Sequence, residues 1–253
     1  MRQVILDTET TGIEVAAGHR IIEVGAVEIS DRRSTGAHFH EYLNPNRAID
    51  AGAQEVHGIS SEFLADKPPF ERVAERLFDF VFGAELIMHN AGFDIAFLNA
   101  EFARLKATDF PRLAKALGVR NGRCRGALER VCSVVDSLAL ARKKHPGQRN
   151  GLDTLCRRYQ VDNSGRTFHG ALLDAELLAE VYLRMTGGQT ALFSAADDGN
   201  QTESNAEPWT PPDQLRLIEP TPAEHSEHEA FLKIIEAKAG VVLWSQPPIT
   251  ETG

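Results

Sequence analysis

The apolar run Val4-Ile5-Leu6 leads without interruption into Asp7-Thr8-Glu9. Side chains alternate between the two faces of an extended strand, so Asp7 and Glu9 leave the same face at the strand's end. Carboxylates that close together repel and raise each other's pKa unless a cation sits between them. The stretch therefore has to be a strand, and its end has to be either solvated or closed by a cation. The company the pair keeps makes a metal ion the leading reading.

Two further segments supply that company. Asn90-Ala91-Gly92-Phe93-Asp94 follows the apolar run Glu85-Leu86-Ile87-Met88, and His169-Gly170-Ala171-Leu172-Leu173-Asp174 opens a helix. Four carboxylates and one histidine thus gain seats at the ends of elements. A set of oxygen ligands with no nearby cysteine or second histidine favours hard cations, Mg²⁺ or Mn²⁺, over zinc. Such ions suit phosphate chemistry.

The net charge of −9 argues against nucleic acid as a partner until it is located. Ser194 to Ala230 holds nine acids against the single base Arg216, which leaves the rest of the chain near neutral. Arg104 to Arg130 holds eight bases against Asp109 and Glu129. The body can therefore turn a basic face toward a polyanion. That basic stretch reads as a solvated loop, with a DNA-facing insertion as the alternative. Cys124, Cys132 and Cys156 form no CxxC pair and read as reduced thiols. Met1-Arg2-Gln3 runs straight into a strand pattern with no signal peptide, and no apolar stretch approaches the ~20 residues that span a bilayer, so a cytoplasmic protein with no membrane partner is expected.

Alternating and β-branched patterns predict strands over 2–8, 20–29 and 37–43, with the first two joined through Thr11-Gly12. Val73, Leu77, Phe78 and Val81 predict a helix over 70–82. A strand over 86–88, a helix over 94–104 and a strand over 131–135 follow, the last running into a helix cap at Asp136-Ser137. Helices are predicted over 152–159 and 171–185, the second closed by Gly187-Gly188. Residues 194–222 are acidic, polar and Pro-rich and read as a disordered linker. From Glu224 to Ala239, Ala230, Phe231, Ile234 and Ile235 share one helical stripe on a segment too small to bury its own core, which predicts docking elsewhere.

Asp7-Thr8-Glu9-Thr10-Thr11-Gly12, Asn90 to Asp94 and His169 to Asp174 together resemble the three motifs of the DEDDh exonucleases, named for four acids and a histidine. Ile21 to Val27, Val56-His57-Gly58-Ile59 and Gly187-Gly188-Gln189-Thr190 resemble the proofreading members of that family, and the likeness covers about residues 2–193. It implies an α/β, RNase H-like fold with a central mixed sheet flanked by helices. It implies 3′ to 5′ hydrolysis of mismatched DNA ends by two divalent ions for a bacterial replicative polymerase. Asp7, Glu9, Asp94 and Asp174 would hold the metals, with Asp7 shared between them and Asp7, Glu9 and Asp174 also meeting the substrate. His169 would take the proton from the attacking water; alone, it would read as a loop histidine capping the next helix.

By the same resemblance Val56, His57 and Phe93 contact the last two nucleotides, while Phe93 reads equally as core. An acid five residues before His57 belongs to the pattern, and Gly52 stands there. Gln189, Leu192 and Phe193 resemble the Gln-x-x-Leu-Phe peptide that docks in a sliding clamp. The implied division is a nuclease domain over 1–188, a clamp peptide over 189–193, an acidic linker over 194–222 and a segment over 223–253 that docks on the polymerase's catalytic subunit. A small accessory subunit is a further candidate partner. The competing readings are a free-standing nuclease that trims RNA or DNA 3′ ends, and a brace between polymerase and clamp in which hydrolysis is secondary.

Overall fold

In the computed structural model, which describes residues 2–165, 168–187 and 220–239, the acid-bearing strand β1 (Arg2–Thr10) is the middle strand of a five-stranded sheet. β2 (Ile21–Ser30) and β3 (Arg33–Tyr42) follow it, each antiparallel to the strand before. Three helices, α1 (Ala51–His57), α2 (Ser61–Leu64) and α3 (Phe70–Val81), lead to β4 (Glu85–Met88), parallel to β1. Next come α4 (Ala91–Arg104), α5 (Pro111–Leu117), the short hairpin β5 (Val119–Arg120) and β6 (Arg123–Cys124), and β7 (Ser133–Asp136), parallel to β4. α6 (Ser137–Lys144), α7 (Leu152–Tyr159) and α8 (Ala171–Thr186) complete the unit. The strand order β3-β2-β1-β4-β7 makes the sheet mixed, as expected for the α/β class.

The alternation of β1 sorts its neighbours. Val4 and Leu6 are buried among Val73, Leu77 and Phe78 of α3 and Leu98 and Phe102 of α4. Ile5, on the other face, is buried among Leu155 and Cys156 of α7 and Ala175, Leu178 and Val181 of α8. Completely burying a side chain of this size stabilises by about 1.5–3 kcal/mol, so a one-residue slip of β1 would be prohibitive. The face on which each functional side chain lies is therefore fixed by the core.

Most predicted elements are present, with bounds that differ for local reasons. β3 begins four residues before the predicted strand, because Asp31 and Arg32 (φ 49° and 65°) form a two-residue left-handed hairpin turn without glycine. α4 begins three residues early, after Asn90 adopts the left-handed conformation at φ 74°. Asp136 caps α6 as expected, accepting from the amides of Leu138 (2.9 Å) and Ala139 (3.2 Å). α8 closes at Gly187, whose N–H reaches the Leu183 carbonyl at 2.8 Å, in an extended and not a left-handed conformation.

The loop reading of 104–130 is corrected. Leu113, Ala114 and Leu117 of α5, with Cys124 and Leu128, are buried in the same cluster as α4. An i, i+4 leucine pair hidden among arginines anchors the stretch. Gly126 (φ 68°) packs so closely on α4 that a Cβ there would lie 1.9 Å from the Asn99 carbonyl oxygen. Part of the charge is also engaged, with Arg112 paired to Asp79 at 2.7 Å.

The chain divides into two units, 1–197 and 198–253. Among the described residues of the second is α9 (Pro222–Ala239). Thr221 and Glu224 form a reciprocal capping box at its start, at 2.7 Å and 3.3 Å. Phe231 and Ile234 are exposed on it. No helix among the described residues is long and apolar enough to cross a membrane.

Candidate active site

At the end of β1, Asp7 lies opposite Gly25 of β2 and Glu9 opposite Glu23, and the register shifts immediately after Glu9. Directly paired residues share a face, so these four positions lie together on the α8 side of the sheet. Gly25 lets a helix backbone come down onto the strand. A Cβ built there would lie 2.1 Å from the Leu172 nitrogen and 2.2 Å from the Ala171 carbonyl carbon, so the first turn of α8 rests directly on the bare backbone of β2. That contact brings Asp174, one turn further along, to the two strand acids.

The donors of Glu9, His169 and Asp174 lie within 4.8 Å of one another. Two carboxylates at that separation repel by about 3 kcal/mol at an effective dielectric near 20, which a divalent cation would offset. The donor set is oxygen-rich and hard and thus fits Mg²⁺ or Mn²⁺. Asp174 is buried, and one of its oxygens lies 3.2 Å from His169 Nδ1. A proton on Nδ1 donated to Asp174 leaves Nε2 with the unprotonated lone pair that a general base requires. The His169 ring is half exposed, and its backbone N–H donates to the Val56 carbonyl at 3.2 Å.

Asp94 arrives differently. Thr8 points to the α4 face, as Val4 and Leu6 do, and its hydroxyl donates to Asp94 Oδ1 at 2.7 Å. Asp94 is only 3% exposed. Burial pushes its carboxyl up to about 7, against the opposing pull of the Thr8 hydroxyl. The structure therefore gathers Asp7, Glu9, Asp174 and His169 on one face and holds Asp94 behind Thr8 on the other.

Two hollows adjoin the acids and, among the described residues, share no lining residue. One, of about 360 Å³, is lined by Thr8, Glu9, Thr10, Gly12 and Ile13 from β1 and its exit loop, by Asp50, Gly52, Ala53, Val56 and His57 of α1 and its cap, and by Phe93. Val56 is half exposed and His57 is buried. His57 Nδ1 accepts from the Ile59 amide at 3.0 Å, so the ring proton sits on Nε2, and burial lowers the imidazole's pKa. Phe93 packs on Phe97 with ring centroids 4.8 Å apart and also lines the hollow. A side chain at Gly52 would meet open space. The carboxylate that α1 and its cap bring to this wall is Asp50, 3.4 Å from His19 Nε2, with Glu55 outside the lining.

The second hollow, of about 420 Å³, is lined by Asp7, His89, His169 and Asp174 and by Gly151, Leu152, Asp153, Thr154 and Arg157 around the start of α7. Sequence reasoning passed over Gly25, Thr8, Asp50 and this α7 wall. Only Gly25, a glycine inside a strand pattern, carried a signal. Gln189, Leu192 and Phe193 lie outside the described residues.

The exonuclease family model matches residues 4–182. The DNA polymerase III subunit epsilon of Escherichia coli (strain K12) is 47% identical over 251 residues, 96% of this chain and 97% of that protein. The subunit of the same name from Rickettsia typhi is 41% identical over 242 residues, covering 94% and 99%. Among solved structures, the nuclease domain of 3′hExo, a DEDDh family member bound to rAMP, aligns with a TM-score of 0.52 at 20% identity, covering 73% of this chain and 90% of that one. E. coli exonuclease I in complex with a dA16 oligonucleotide aligns with a TM-score of 0.58 at 17% identity, covering 76% and 42%. Both share the fold.

Proposed function

Since the chain belongs to the exonuclease family, and within it to the epsilon subunits of DNA polymerase III, we propose that its proofreading 3′–5′ exonuclease activity is carried by Asp7, Glu9, Asp94, Asp174 and His169. The convergence of Glu9, His169 and Asp174 within 4.8 Å, beside Asp7, carries this reading. Two divalent ions, Mg²⁺ or Mn²⁺, held by the four carboxylates would supply charge stabilisation at the phosphate and the leaving 3′-oxygen. His169 Nε2 takes the proton of the attacking water, while Asp174 holds the ring through Nδ1. The hollow around Val56, His57 and Phe93 receives the terminal nucleotide. With His57 Nδ1 committed to Ile59, the ring keeps its Nε2–H and its carbon face, and packing against that face tolerates any base. A mispaired end is selected because it costs less to unpair.

Gln189, Leu192 and Phe193 anchor the chain to the sliding clamp, and the 223–253 segment docks on the polymerase's catalytic subunit through the stripe that leaves Phe231 and Ile234 exposed on α9. Residues 194–222 join the two. Tethering of this kind raises the local concentration at a primer end to the millimolar range.

The test is to incubate the protein with primers bearing paired or mispaired 3′ ends, with and without Mg²⁺ or Mn²⁺. Metal-dependent release of nucleotides from the 3′ end, faster from the mispaired primer, is expected. Digestion without metal, or from the 5′ end, would sink the assignment. In parallel, Leu192→Ala with Phe193→Ala should weaken clamp binding and leave hydrolysis of a free oligonucleotide intact.

A further inference from the structure

Around the acids the two hollows differ in one chemical respect, and nucleic acid chemistry gives that difference a direction. Among the described residues, the hollow containing Val56, His57 and Phe93 has no lysine or arginine in its lining. The hollow on the other side of the strand end contains Arg157 and the Thr154 hydroxyl. A strand cleaved between the two places its scissile phosphate at the acids. On the 3′ side of that bond a terminal nucleoside carries no further phosphate, so its chamber needs no cation. On the 5′ side every nucleotide brings another negative charge.

The arginines of α7 support this division. Arg158 is spent on structure, donating to Asn150 Oδ1 (3.1 Å), Gln148 Oε1 (2.9 Å) and the Arg149 carbonyl (3.0 Å). Arg157, its neighbour in sequence, is exposed, and among the described residues it has no carboxylate partner; its Nε makes one long contact of 3.4 Å to the Asp153 carbonyl. Gly151, at the cap of α7, offers no side chain to cap the helix, and it lines the same hollow with Leu152, Asp153 and Thr154 of the first turn. The opposing charge is Asp153, whose carboxylate accepts from Asn163 Nδ2 at 3.1 Å.

We infer that Arg157 grips the phosphate next upstream of the scissile one, making the α7 hollow the channel through which the continuing strand leaves and fixing which end of a strand can enter. The inference rests on the nuclease reading of the same site. Arg157 is a binding and polarity residue and takes no part in proton transfer.

The experiment compares two phosphodiesters hydrolysed by the same site. A single-stranded oligonucleotide carries upstream phosphates; the 4-nitrophenyl ester of thymidine 5′-monophosphate carries only the scissile one. Arg157→Gln should lower kcat/KM for the oligonucleotide relative to the ester by roughly tenfold, mainly through KM. The dependence of log KM on log salt should become shallower by about 0.7, the share of one phosphate on a single strand. Arg157→Lys, which keeps the charge, should restore most of both. Equal losses on the two substrates would place Arg157 at the scissile phosphate or in the fold, and equal rates with both would remove it from the substrate path; either result overturns the inference. A wild-type protein inactive on both substrates would instead overturn the nuclease reading.

Discussion

α4 and α8 each deliver an acid to the end of β1, from opposite faces of the sheet, and they do so under different physical regimes. α8 rests on Gly25 and brings Asp174 together with His169, one side chain half exposed and the other hydrogen-bonded to it. α4 enters through the left-handed Asn90 and brings Asp94 alone, buried and held by the Thr8 hydroxyl. The α8 acid is placed by close backbone contact and lies beside an imidazole. The α4 acid is placed in a dry position where its charge is unfavourable until a cation offsets it. Two carboxylates in one motif set can therefore be equally necessary to hydrolysis and opposite in what they do to the metal-free fold.

The sharpest break in this comparison is Gly25→Ala. The added methyl overlaps the α8 backbone, so the helix has to move by more than 1 Å and take His169 and Asp174 with it. Misplacing a reacting group by that much costs about 10²-fold, so hydrolysis should fall by about 10⁴ for the two together, with a stability loss of about 3 kcal/mol. Turnover near wild type in a steady-state assay would show that α8 is not seated through this contact. His169→Ala should lower kcat by about 10² to 10⁴ while metal affinity, followed by calorimetry, stays near wild type. Parallel loss of metal binding would make His169 a ligand.

Asp94 gives the contrast a pH signature. Its carboxyl titrates at about 7 in the fold against an ordinary 3.8, so between those values the folded state holds a proton that the unfolded chain releases. This contribution to stability is whole below about pH 4 and is lost as pH rises through 7, with a slope of up to about 1.4 kcal/mol per pH unit. Melting temperatures of metal-free protein should fall over that window. Asp94→Asn should flatten the slope, and added Mg²⁺ should do the same. Thr8→Val removes the hydroxyl that supports the charged form and should cost about 1–2 kcal/mol in metal binding, with less effect on the metal-free protein. At the small end stands Gly92→Ala on α4. A Cβ there meets nothing within 4 Å, so it should raise stability by about 0.5–1 kcal/mol, opposite in sign to the same change at Gly25.

The α8 side was the more readable of the two in the sequence. Val4-Ile5-Leu6 before Asp7 and Glu9 fixed a strand and its faces, and Leu173, Leu177, Leu178 and Val181 fixed the helix that covers it. Less could be read where the deciding contact is backbone against backbone or where polarity hides a core. Gly25 signalled a close approach without naming its partner. α1 (Ala-Gly-Ala-Gln-Glu-Val-His) shows no apolar stripe because it is mostly exposed, yet it forms a wall of the hollow around Val56, His57 and Phe93. Leu113 and Leu117 were obscured by the arginines around them, and the Asp31-Arg32 turn lacks the glycine that usually marks such a hairpin. Arg157 was invisible as a site residue because only the packing of α7 separates it in role from Arg158.

The position of these groups along the chain sets a timetable. Asp7 and Glu9 are among the first residues made, while His169 and Asp174 lie on the far side of the sheet's last strand, at the entry to the helix that closes the unit. At the usual ~5–20 residues per second of synthesis, roughly 10 to 30 seconds separate the first acid from the last. Throughout that interval a nascent chain can build β1, β2 and β3 and their pairings while holding neither His169 nor Asp174. Any product that stops short of α8 is in the same condition. On the proposed assignment, hydrolytic competence comes only when the domain is complete, and a half-made chain near nucleic acid is chemically silent.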